Sequence, residues 1–132
     1  MATRYLLDTN ICIYIAKYNP LPVRERFAQH AANELAMSVI TLGELRFGAE
    51  KSQSKARAMA VIDELASLMN IEVLSDSVAE HYGEIRASLP KSGQMIGSND
   101  LWLSARARDW ILVTNNEKEF VRVEGLRVEN WV

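Results

Sequence analysis

The chain has 132 residues, 48% of them hydrophobic and 24% charged, with a formal net charge of −2. Such a length and apolar content bury a core, which points to a globular rather than a disordered chain, and no apolar run reaches the length of a membrane span. The slightly acidic balance excludes broad electrostatic coating of nucleic acid and leaves a local basic patch or a metal ion as the means of gripping one.

Tyr5 to Leu7 reads as a short buried strand that runs straight into Asp8. Asn10 to Lys17 reads as a helix with Ile11, Tyr14 and Ile15 on one face. Asn19-Pro20-Leu21-Pro22 breaks it, because proline cannot continue a helix. Val23 to His30 is a second helix. Leu35 to Val39 has the length and composition of a strand, and Thr41 to Ala49 reads as the helix after it. Ser54 to Met69 carries the clearest helical pattern, with Val61, Ile62, Leu65, Leu68 and Met69 on one face. Ile71 to Leu74 returns to a strand. Val78, Tyr82, Ile85 and Leu89 form another helical stripe, ended by Pro90 and Gly93. Gly97 and Ser98 open a helix through Leu101, Leu103 and Ala107. Ile111 to Thr114 is a strand, Asn115-Asn116 turns, and the tail "LRVENW" adds an edge strand. Strands alternate with helices throughout, which implies an α/β fold with a mostly parallel central sheet covered on both faces. With no internal repeat or long linker, residues 1–132 read as a single domain. Cys12 is the only cysteine. That fits a reducing compartment, and no secretory leader is visible, so a cytoplasmic protein with no membrane contact is expected.

In open α/β sheets, ligands bind beyond the carboxyl ends of the strands. The side chains placed there are Asp8 and Thr9 after the first strand and Glu44 in the helix after the second. Asp100 opens the helix begun by Ser98. Thr114, Asn115, Asn116, Glu117 and Glu119 follow the last main strand. Each has a bland role available. Thr41 and Glu44 have the spacing of a capping box, Asp100 complements the positive end of its helix, and Asp8 or Asn10 serves as an N-cap. Ser77 and Glu80 show the same capping spacing, so the pattern alone is not diagnostic. Together the acids say more. If their strands are adjacent and parallel, Asp8, Glu44 and Asp100 converge, and two carboxylates about 4 Å apart repel by about 4 kcal/mol at an effective dielectric near 20. A hard divalent cation relieves this, and oxygen donors suit Mg²⁺ or Mn²⁺ rather than zinc. His30 and His81 have no spacing for a shared zinc site.

"LLDTNICIY", "SVITLGELRFGAEKS", "IGSNDLWLSARAR", "LVTNNEKEF" and "GLRVENW" occur in that order over essentially the whole chain. In this the sequence resembles the VapC-type toxins of the PIN-domain ribonucleases. The resemblance implies a three-layer PIN-like fold and a Mg²⁺-dependent endoribonuclease, with Mn²⁺ as a substitute, forming the toxin of a type II toxin–antitoxin pair. It makes Asp8, Glu44 and Asp100 the metal ligands. Related chains often carry a further acid near the turn where this one has Asn115 and Asn116, which leaves the fourth position open between Asn116 and Glu119. Thr9 and Thr114 match the hydroxyls that orient a carboxylate or the attacking water. The implied partners are an RNA substrate, with the anticodon loop of initiator tRNA as the target to test, and a cognate antitoxin lying in the active-site groove. A homodimer and a toxin–antitoxin hetero-oligomer are implied with them.

Lys51, Lys55, Arg57, Arg106, Arg108, Lys118 and Arg122 are candidates for a basic rim, against the plainer reading of solvated helix faces. An exposed Trp102 or Trp110 would stack a splayed base, and Trp131 would pin the tail. Two rivals stand beside the nuclease. A phosphoacceptor receiver domain needs adjacent carboxylates after its first strand, and "LLDTN" has one. A catalytically silent PIN-like binding module or repressor component would bind its partner without metal-dependent turnover.

Overall fold

In a computed structural model, which describes residues 4–18, 21–89, 98–108, 110–120, 123 and 125–132, five strands form one parallel sheet. They are β1 (Tyr5–Leu7), β2 (Leu35–Ser38), β3 (Asn70–Glu72), β4 (Ile111–Val113) and β5 (Arg127–Glu129), in the spatial order β3-β2-β1-β4-β5. Each pairing is parallel; Leu7 lies beside Met37 on one side and Val113 on the other. The expected mostly parallel sheet is thus parallel throughout. β1, the first strand in sequence, is central in space.

The helices are α1 (Thr9–Tyr18), α2 (Leu21–Ala28), α3 (Val39–Glu50), α4 (Lys55–Ser67), α5 (Asp76–Ser88), α6 (Ser98–Ala107) and the short α7 (Glu117–Phe120). Alternation along the strands divides the core, because successive side chains point to opposite faces. Leu7, Met37 and Val113 join Ile11, Cys12, Leu45, Ile62 and Leu65 in a cluster under α1, α3 and α4. Leu6, Ala36 and Leu112 face the other way, against Leu103 of α6, Trp110 and Phe120. Val78, Ile85, Leu89 and Val123 extend that second layer through α5. Burial on both faces explains why β1 and β4 read as unbroken apolar runs.

Several boundaries differ from the sequence reading: Leu21 and Pro22 open α2 instead of standing in a break before it, since proline is tolerated in a helix's first turn, and β3 spans Asn70–Glu72 rather than Ile71–Leu74. Val39 begins α3 rather than ending β2, because Ser38 takes the N-cap position and its Oγ accepts from the Ile40 N–H at 3.1 Å. The turn at Asn115-Asn116 leads into α7, too short for any apolar periodicity to show. The expected boundaries at Pro90, Gly93 and Gly97 lie outside the described residues. Before β5, Gly125 has φ +80°, a left-handed conformation that glycine adopts without strain, and the Arg108 side chain lies against it.

Candidate active site

Asp8 sits where β1 ends and α1 begins. Its backbone N–H donates to the Val113 carbonyl at 3.0 Å, which continues the sheet by one residue. Its carboxylate Oδ1 accepts from the Ile11 N–H at 2.8 Å, the bond of a helix N-cap. The residue is 3% exposed. Burying a carboxylate is costly unless donors meet it, and the first turn of α1 provides one along with the positive end of its dipole. The capping role and the placement of an acid at the sheet's carboxyl edge are therefore the same feature. Cys12, one turn on, is also fully buried. Burial, and to a lesser extent the Asp8 charge, push its thiol far above the ordinary range, which leaves no thiolate to act as a nucleophile.

Thr9 follows Asp8 and links it to α3. Its Oγ1 donates to Glu44 Oε1 at 3.1 Å and lies 3.1 Å from Thr41 Oγ1. Thr41 is wholly buried and Glu44 is exposed. The capping-box reading of Thr41 and Glu44 does not hold. Because Ser38 caps α3, both residues lie inside the helix, three apart and on neighbouring ridges. Thr41 went unnoticed as part of the site. The available signal was its spacing from Glu44, which puts both side chains on the side of α3 that meets α1.

Asp100 lies in the first turn of α6, partly buried, and its backbone carbonyl accepts from Ser104 Oγ at 2.8 Å. Since α6 leads into the start of β4, its N-terminus lies toward the carboxyl edge of the sheet, where β1 and β4 end. Thr114 follows β4 and is wholly buried; its Oγ1 accepts from the Asn116 N–H at 3.0 Å, and its N–H donates to the Glu129 carbonyl at 3.0 Å. Asn116 is exposed. Glu119 belongs to α7, with its side chain outside the described residues. Topology thus brings Asp8, Glu44, Asp100 and Thr114 to one edge, and direct hydrogen bonds join Thr9, Thr41 and Glu44.

Their donors are all oxygens, the chemistry of a hard cation site. Among the described residues no three His, Cys, Asp or Glu side chains are gathered within reach of one ion. Asp8, Glu44 and Asp100 thus share one edge of the sheet without closing on a common point as the sequence suggested, and Glu44 is turned to the Thr9 hydroxyl.

Residues 5–126 match the family profile of the PIN domain. The chain belongs to the PIN-domain family, in its VapC branch. It is 47% identical to "Ribonuclease VapC2" of Haemophilus influenzae over 131 residues, 98% of each chain. It is 44% identical to the "tRNA(fMet)-specific endonuclease VapC" of Shigella flexneri, covering 97% of this chain and 98% of that one. A crystal structure of DNA-bound VapBC from Salmonella typhimurium superposes with a TM-score of 0.93 at 38% identity, covering 99% of this chain and 100% of that one.

Several cations of this PIN domain are engaged away from Asp8. Arg106 pairs with Glu72 at 3.1 Å and lies 3.9 Å over the Trp110 ring, with Arg4 on the same ring at 5.4 Å. Arg108 reaches Glu84 at 3.5 Å and His81 at 3.3 Å. Lys55 pairs with Glu50 at 2.8 Å, and Lys51 lies over Phe47. Lys118 is exposed, and Arg122 lies outside the described residues. Of the aromatics, Trp102 stacks on Tyr82 with centroids 4.0 Å apart, and Trp110 and Trp131 are buried. Trp131 packs on Tyr5, Phe27 and His30, which pins the tail as expected.

The PIN domain also carries a cavity of about 510 Å³ between α1, α3 and α4, lined by Ile13, Lys17, Glu44, Leu45, Arg57 and Val61 among others. Glu44 belongs both to this groove and to the hydroxyl network. The helix segments "ICIYIA" and "AVIDELASLM" therefore serve two purposes: Ile11, Cys12, Ile62 and Leu65 fill the core, while Ile13 and Val61 line the groove. Among the described residues no helix is long and apolar enough to cross a membrane.

Proposed function

We propose that this PIN domain is a Mg²⁺-dependent endoribonuclease, the toxin of a toxin–antitoxin pair, working in the cytoplasm on tRNA. The observation that carries this reading is a buried Asp8 that caps α1 at the carboxyl end of the central strand, with Glu44 hydrogen-bonded to the neighbouring Thr9. The names of the Haemophilus and Shigella relatives support the ribonuclease class, and the Shigella name makes initiator tRNA the first substrate to try.

Asp8 and Asp100 would hold the cation directly, and Glu44 through water or at a second ion. Once bound, Mg²⁺ supplies a water of lowered pKa and offsets charge on the scissile phosphate and the leaving oxygen. The chain's own work is placement. The Ile11 N–H fixes the Asp8 carboxylate, the Thr9 hydroxyl fixes Glu44, and Thr114 orders the turn that presents Asn116. Asn116 and Glu119 remain the two candidates for the fourth position. Hydrolysis by water attacking in line leaves a 5′-phosphate and a 3′-hydroxyl.

The antitoxin's proposed seat is the groove between α1, α3 and α4, where an apolar segment would end on Glu44 with a basic side chain. The Salmonella relative, solved as VapBC on DNA, supports a partner of this kind. A homodimer is proposed alongside, covering exposed apolar side chains such as Phe47, Val39 and Val73, and is checked by sedimentation velocity.

The deciding experiment incubates end-labelled initiator tRNA with the chain, first with Mg²⁺, then with EDTA, then with Mg²⁺ restored. Cleavage that stops and returns with the metal supports the enzyme. Antitoxin binding with no turnover under any of these conditions points to the silent binding module.

A further inference from the structure

We propose that Thr41 is a positioning residue for the Glu44 carboxylate, acting through Thr9; this rests on the reading of Glu44 as a site acid. Thr9 Oγ1 lies 3.1 Å from Glu44 Oε1 and 3.1 Å from Thr41 Oγ1. A hydroxyl has one proton to donate, and an ionised carboxylate only accepts. The Thr9 proton is therefore committed to Glu44, so the proton in the other link belongs to Thr41. The chain of bonds has one direction: Thr41 O–H to Thr9 Oγ1, then Thr9 O–H to Glu44 Oε1.

The ends of this relay differ in freedom. Thr41 is wholly buried within α3, and its β-branched side chain has few rotamers there. Glu44 is exposed and, left alone, would sample many. The relay transfers the order of the buried hydroxyl to the exposed carboxylate. It does so with neutral groups, which orient an acid without cancelling its charge. Linked hydroxyls also polarise one another, so the bond to Glu44 is stronger with Thr41 present than without it. Because Thr9 adjoins Asp8 in the first turn of α1, the relay sets the Glu44 carboxylate relative to Asp8 across two helices.

The test uses the full chain as wild type, Thr41→Val, Thr41→Ser, Thr9→Val and Glu44→Gln. It compares metal-free crystal structures, Mn²⁺ affinity by calorimetry, and cleavage of end-labelled tRNA. Thr41→Val matches the shape of threonine and lacks the proton. It is expected to release Glu44 from Thr9 in the crystal and to weaken Mn²⁺ binding about threefold to tenfold, the scale of one hydrogen bond. Thr41→Ser, which keeps the hydroxyl, is expected to restore both. A Glu44 still seated on Thr9 in Thr41→Val, with Mn²⁺ affinity unchanged, overturns the relay. Should Thr41→Val fail to fold, Thr9→Val breaks the same chain at a less buried point. It must show the same loss, and unchanged Mn²⁺ affinity there overturns the proposal too. Glu44→Gln separates the two ideas. If it binds Mn²⁺ and cleaves as wild type does, the site reading of Glu44 fails, whereas a released Glu44 in Thr41→Val still supports the relay.

Discussion

The acids of the candidate site and the charged groups that bind α6 to the sheet are held by different means. At the site, the Asp8 carboxylate accepts from a backbone N–H and Glu44 from a hydroxyl, while ion pairs on the same helices, Arg46–Asp63 at 2.7 Å and Lys55–Glu50 at 2.8 Å, lie at other side chains. On the α5–α6 side, guanidinium groups meet acids and rings: Arg106 with Glu72 and Trp110, Arg108 with Glu84. A neutral donor orients a carboxylate and leaves its charge available, while an ion pair neutralises it. The first arrangement suits a surface that must attract a cation or a basic partner. The second suits a surface whose task is to hold helices on strands.

Substitutions at Asp8 break the contrast most sharply. Asp8→Asn keeps an oxygen for the Ile11 N–H but loses the charge, so RNA cleavage is expected to fall at least about a hundredfold with the melting temperature near wild type. Asp8→Ala is expected to lose the cap as well, at a cost of about 0.5–2 kcal/mol in urea unfolding. Near-native cleavage by Asp8→Asn in an end-labelled RNA assay would remove Asp8 from the chemistry.

The groups that bind α6 to the sheet predict the opposite result. Trp110→Ala deletes a buried ring and the seat of two guanidinium groups, and is expected to destabilise by about 3–5 kcal/mol in urea unfolding. Glu72→Gln removes the charge of the acid that Arg106 and Arg4 both meet and is expected to cost about 1–2 kcal/mol, with cleavage by the folded fraction unchanged. A selective loss of cleavage in Glu72→Gln would show that the two sets of charged groups do not divide the work.

Cys12 reports on the core beneath the site. Burial raises its thiol pKa, so the native state favours the neutral form. The stability this confers is complete below the unfolded thiol's pKa and declines as pH rises above it toward the native value. Alkylation by iodoacetamide at neutral pH is expected to follow global unfolding in urea, and fast labelling of the native chain would contradict that packing. The smallest effect belongs to the exposed Lys55–Glu50 pair: Lys55→Ala is expected to change stability by under about 0.5 kcal/mol.

Much of this was legible in the residues. A buried apolar run followed at once by Asp8 placed an acid at a strand end, and the alternation of strands with helices gave parallel pairing. Other parts were not legible, for physical reasons. Val39 and Ile40 are β-branched and continue the strand-like composition of β2, which hid the N-cap at Ser38 and the helix start at Val39. Helix α7 has too few residues for periodicity. Arg106 and Arg108 looked available for RNA because their acids, Glu72 and Glu84, are remote in sequence and meet them only through the fold. Thr41 looked like a capping residue until its hydroxyl was seen to meet Thr9 from another helix.

The order of strands also bears on synthesis. Leu7 emerges from the ribosome early, yet its neighbour Val113 arrives roughly a hundred residues later, and such distant pairings close slowly. A truncated translation product ending before β4 lacks one flank of the middle strand and the Thr114 turn. An interrupted ribosome would therefore release a fragment whose central strand is open on one side and whose candidate site is incomplete.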